Sequence, residues 1–117
     1  MVSRTGWHVQ REGPVLTLAR RLPARLDVWA ETRLPARRRL RLATQIRQDL
    51  WRALRGLRGF SPVVEVRRVD GGMCVRAGGR IDNGVFDASR VQQGIAVVLE
   101  DPANQNRWLR WAGRAGE

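Results

Sequence analysis

The chain has 117 residues with 22 cationic side chains, all of them Arg, against 11 Asp plus Glu, for a formal charge of +11 at pH 7. With no Lys, no Tyr, one Cys (Cys74) and one His (His8), it lacks a P-loop lysine, a Schiff-base amine, a tyrosine nucleophile, an internal disulfide and a zinc-binding His/Cys cluster. The remaining Ser, Thr and carboxylates stand at no spacing that marks a catalytic dyad or triad, so the residues point to a non-enzymatic protein with neither metal nor cofactor.

Residues 1–13 are polar and punctuated by Gly, and apart from Trp7 are expected to form a loosely held segment. Residues 14–117 are read as a single α+β domain, with 43% hydrophobic content to supply its core. No run approaches the ~18 apolar residues of a membrane span, and the first twenty residues lack a signal-like apolar stretch, so a cytoplasmic location is expected. After Pro14, the stretches Val15–Leu22 and Leu26–Thr32 read as a strand pair. In the second, Leu26, Val28, Ala30 and Thr32 alternate with Arg25, Asp27, Trp29, Glu31 and Arg33, the period of two of a half-buried strand.

Ala36 to about Arg58 reads as a long helix opened by Pro35 and closed by Gly56 or Gly59. Turned at about 100° per residue, Leu40, Leu42, Ala43, Ile46, Leu50, Trp51, Ala53, Leu54 and Leu57 fall on one half of the wheel. Arg37, Arg41, Gln48, Arg52 and Arg55 fall on the other, with Arg38 beside them. Arg47 lies inside the apolar arc, where an unpaired charge is costly, and a structural ion pair with Asp27 or Glu31 is expected for it.

Residues 62–80 read as a hairpin around Asp70-Gly71-Gly72, with Val63–Val69 and Met73–Ala77 as strands. Asp87 caps a second helix through Leu99, with Val91, Ile95, Val98 and Leu99 on its apolar stripe. Asp101-Pro102 opens a short last helix on which Trp108 and Trp111 are expected to pack together against the core. The predicted order is β-β-α-β-β-α-α, a four-stranded, mainly antiparallel sheet with helices on one face.

Two basic surfaces follow from this reading. The stretch 36–58 carries eight Arg and one acid, whereas an ordinary solvated helix mixes signs, so its outer stripe of Arg37, Arg38, Arg41, Gln48, Arg52 and Arg55 is a candidate track for a phosphate backbone. On the sheet face away from the helices, alternation groups Trp29 with Arg25, Arg33, Arg67, Cys74 and Arg76, a pattern suited to stacked bases and gripped phosphates. Trp7, Trp108 or Trp111 from the terminal segments, or a second copy of the chain as a homodimer, are other ways to cover that face. With no helix-turn-helix pair or zinc finger, the charge points to RNA or single-stranded DNA rather than to a duplex read by sequence. Two alternatives stand beside this: an adaptor, assembly factor or small subunit docking its five Trp and basic helix on an acidic protein partner, and, more weakly, a small basic ribonuclease or ribosome-directed toxin using His8 or an Arg with a carboxylate as acid and base.

Overall fold

The computed structural model of the chain describes residues 6–82 and 85–113. Its elements are β1 (His8–Glu12), β2 (Val15–Ala19), β3 (Val28–Leu34), α1 (Arg39–Leu54), β4 (Phe60–Val69), β5 (Gly72–Ile81), α2 (Ala88–Glu100) and α3 (Pro102–Ala112). The fold is α+β: all five strands form one antiparallel sheet in the order β1-β2-β4-β5-β3. α1 lies over β4 and β2, α2 over β3 and β5, and α3 rests on the two helices.

The structure differs from the expectation in three ways. It has five strands rather than four, and the order is β-β-β-α-β-β-α-α, because residues 8–12, within the stretch 1–13 read as loose, add a strand. That strand buries one side chain, Val9 at 3% exposure, so it carries almost no alternation to read; its pairing with β2 across the Gly13 turn (φ +56°) holds it. Residues 1–5 of the same segment lie outside the described residues. The two strands expected to pair with each other do not. β2 sits between β1 and β4, and β3 pairs β5 at the far edge, so the β4–β5 hairpin is inserted between them. Finally, α1 starts at Arg39, three residues after Ala36, because Arg38 is extended (φ −65°, ψ 120°) and offers no side-chain cap to prolong the helix backward.

Side-chain alternation supplies the core. Leu16 and Leu18, Val64 and Val66, Met73, Val75 and Ala77, and Val28, Ala30 and Leu34 share the helix side of the sheet. There they meet Leu42, Ala43, Ile46 and Leu50 of α1 and Ile95 and Leu99 of α2. Asp87 accepts the Arg90 amide and Asp101 those of Ala103 and Asn104, as a capping carboxylate should. Trp108 is fully buried, but Trp111 is 63% exposed. Ala112, four residues after Trp108, takes the inner place instead, which corrects the expectation that both indoles pack inward.

Where β3 crosses β5 the backbones come close. A Cβ on Gly78 would overlap the Val28 carbonyl oxygen and lie 2.7 Å from Trp29 Cα, backbone atoms of the paired strand rather than the end of a flexible side chain. Gly78→Ala is therefore expected to lower unfolding free energy in urea by about 1–3 kcal/mol, the usual range for overpacking. Gly56→Ala, whose added carbon meets nothing within 4 Å, serves as the neutral comparison; equal stability of the two variants would refute the crowding argument.

Candidate functional site

Of the outer-stripe residues, Arg41, Gln48, Arg52 and Arg55 are exposed along α1. Arg52 lies 3.6 Å from Asp49. Arg37 is turned toward α3, its Nε donating to the Leu109 carbonyl at 3.2 Å and its Nη1 to Ala36 at 2.8 Å. Arg38 is half-buried, and its Nε has no hydrogen-bond partner among the described residues. The stripe is thus broken at its start, where two of its arginines turn away from the outer face.

The open sheet face groups Trp29, Arg33, Arg67, Cys74 and Arg76 as alternation requires, but its charge is mixed. Register sets Arg76 between Glu65 and Glu31. Its Nε donates to Glu31 at 2.9 Å and its guanidinium stacks 5.0 Å from the Trp29 ring centre. That hydrogen bond, before any other cause, raises the Arg76 pKa and lowers that of Glu31, so the pair is held charged. Trp29 keeps 39% exposure with a cation of its own chain already on its ring. Arg25, off the strands, is held by Asp27 and Asp82, and Arg80 by Asp82. Arg25, then the Ile81 amide, depresses the Asp27 pKa. Burial, then the Glu31 hydrogen bond, pushes the Cys74 thiol up and away from thiolate.

Two pockets lined by arginine and by no described carboxylate lie elsewhere, along the flank of α1 beside the edge strand β1, and together are called the groove. Val9 and Arg11 pair with Leu18 and Leu16, and so face the side that α1 covers. Because α1 sits over β4 and β2, the flank of β1 is left beside it. Arg39 Nη1 donates to the Gly13 carbonyl at 3.3 Å, and the Arg47 guanidinium lies 4.5 Å from the Trp7 ring centre, so the helix runs antiparallel to the strand.

The two pockets lie toward opposite ends of α1. One, of about 400 Å³, is lined by Trp7, Arg20, Arg21, Arg47, Trp51, Phe60, Ser61 and Pro62. Trp51, placed by the wheel on the apolar half, is instead 48% exposed here. Arg47 is not ion-paired with Asp27 or Glu31, which are taken by Arg25 and Arg76. It packs on Trp7, with Arg20 at 5.6 Å from the same ring. Burial first, and Arg20 second, holds the Arg47 guanidinium below the usual arginine range. The other pocket, of about 300 Å³, is lined by Arg11, Arg37, Arg38, Arg39, Arg41 and Arg68 with Leu40. No carboxylate lines either pocket among the described residues.

Sequence reasoning missed Arg11, Arg39, Arg68, Trp7 and Trp51 as a set, since they come from three segments. One signal was present. Arg39, Ala43, Arg47 and Trp51 follow each other four residues apart, a single line along the edge of the apolar face. Among the described residues no group of three or more His, Cys, Asp or Glu could hold a metal ion, and no helix is long and apolar enough to cross a membrane. Comparison with protein-family models, with curated proteins and with solved structures found no match.

Proposed function

We propose that the chain is a small, non-enzymatic protein that binds single-stranded nucleic acid, RNA or DNA, along the groove between α1 and β1. Arg11, Arg38, Arg39 and Arg68 grip phosphates at one end, and bases leave their stack to lie on Trp51 beside the Arg47–Trp7 pair at the other. Guanidinium forks suit phosphate oxygens, and every base offers a face to an indole. The observation that carries this reading is the groove's composition: three arginines with two tryptophans at one end and six arginines at the other, with no carboxylate on the described lining. Arg41, Arg52 and Arg55 on the same helix add long-range attraction, and the uncharged Gln48 beside them can only hydrogen-bond.

The test is a titration of labelled single strands and of a duplex across a range of salt. If about six phosphates are neutralised, the slope of log affinity against log salt for a single strand is near −4, and the duplex binds more weakly. Absence of binding at low salt, or affinity indifferent to salt, would overturn the proposal.

One observation favours a second reading, docking on an acidic protein. Trp111 stands exposed beside Leu40, Arg41, Thr44 and Gln45 around a shallow hollow, and Trp and Arg are the side chains most often found at interface hot spots. A stoichiometric partner that survives nuclease treatment, lost on Trp111→Ala, would support it over the first.

A further inference from the structure

The two ends of the groove are unlike, and the end at the start of α1 gathers more charge than the interior of a strand needs. Its pocket draws Arg11 from β1, Arg68 from β4, and Arg37, Arg38, Arg39 and Arg41 from the opening of α1 and the residues just before it. The acceptors that hold two of them are neutral carbonyls, Gly13 for Arg39 and Leu109 and Ala36 for Arg37. They fix the side chains without cancelling charge. An internal phosphodiester brings one negative charge, whereas a terminal phosphate brings about −1.5 to −2 at neutral pH and an oligophosphate more.

We propose that this pocket receives a multiply charged phosphate group, the terminal phosphomonoester or oligophosphate of a bound strand, held chiefly by Arg11, Arg39 and Arg68. That the phosphate belongs to a strand rests on the function proposed above; that the pocket takes such a phosphate rests on the arginine cluster itself. The cluster has a cost in the free protein. Burial, then the charges of Arg68 and Arg11, disfavours the charged form of Arg39.

The experiment uses the full chain and two kinds of probe. Inorganic tripolyphosphate is followed by calorimetry and by its effect on Tm. One short oligoribonucleotide is compared in anisotropy with a 5′-hydroxyl, 5′-phosphate, 5′-triphosphate or 3′-phosphate end. Tripolyphosphate is expected to raise Tm, and at least one phosphorylated end to bind about tenfold or more tighter than the hydroxyl end, given the strength of charge-assisted forks. Arg39→Gln and, separately, the exposed Arg68→Gln are expected to remove that preference. Arg58→Gln, outside both pockets, should keep the preference.

The failures are separable. Strands that bind equally whatever their ends would overturn the terminal-phosphate inference and leave the nucleic-acid reading standing. Tripolyphosphate binding without any strand binding would keep the phosphate site and sink the strand. A preference for phosphorylated ends that survives both Gln substitutions would place the site elsewhere and overturn the assignment.

Discussion

Replacing Asp49 by Ala is expected to lower the unfolding free energy by about 3 kcal/mol, because one carboxylate ties α1 to α3 through several donors. Its Oδ2 accepts from the Trp108 indole N–H at 2.6 Å and from Arg107 Nη2 at 2.8 Å, and Oδ1 is 3.4 Å from Arg107 Nη1. The Asp49 side chain is only 12% exposed, and Trp108 is fully buried. Truncation therefore leaves an indole N–H with no acceptor in a place water hardly reaches. At this chain length the loss corresponds to roughly 10 °C in Tm.

Two companion variants separate the parts of this loss. Asp49→Asn keeps an oxygen for the indole while discarding the charge, and should fall between wild type and Asp49→Ala. Arg107→Ala should cost about 1 kcal/mol, since that guanidinium is partly in solvent and its removal orphans no buried donor. Thermal or urea unfolding of the four proteins gives the ranking. Asp49→Ala within about 0.5 kcal/mol of wild type would mean that α3 is held by apolar packing alone.

The same residue illustrates what a one-dimensional reading can find. As the single acid among eight arginines in 36–58, Asp49 looks on the helical wheel like a lone opponent of the basic stripe, yet it turns to a partner 58 and 59 positions later. The wheel gives direction about one axis and says nothing of what arrives there from elsewhere in the chain. Where a local period is strong, as at Val28, Ala30 and Thr32, at Val64 and Val66, or at Leu42, Ala43, Ile46 and Leu50 of α1 and Ile95 and Leu99 of α2, the buried sets were legible, whereas Trp51 and Ala53 of the same wheel arc are exposed. So were the caps at Asp87 and Asp101, because a cap is made within three residues of itself.

β1 was not legible, because an edge strand can be held by backbone hydrogen bonds with a single buried side chain, and backbone bonds leave no trace in residue type. Nor was the groove. Arg47 breaks the apolar arc, and burial costs alone favour an ion pair there, but an indole brought back by β1 supplies a cation–π contact instead. That choice depends on Trp7, separated from Arg47 by forty positions and three strands. Arg67 and Arg68 look equivalent in sequence, and only the register of β4 against β2 sends one to the open face and the other to the groove.

That pair of neighbours gives the sharpest test of where a nucleic acid lies. The double variant Trp51→Ala, Arg68→Glu removes one indole and reverses one arginine in the groove; Trp29→Ala, Arg67→Glu does the same on the open sheet face. Both lower the net charge by two, so the long-range field that steers a polyanion weakens equally, and a difference in affinity reports position alone. Loss of a stacked base costs about 1–3 kcal/mol and loss of a charge-assisted hydrogen bond about 1.5–3 kcal/mol. Trp51 and Arg68 line pockets at opposite ends of the groove, so their effects should add. The groove variant is then expected to bind single-stranded RNA about 10²–10⁴-fold more weakly than wild type, and the sheet-face variant within about fivefold, the share due to net charge. All four positions have solvent-exposed side chains, so unfolding curves near wild type should accompany both measurements. Equal losses would reduce the interaction to net charge. A larger loss from the sheet-face pair would move the interface to Trp29, where Arg76 would have to leave the ring, and its bond to Glu31, before a base could stack.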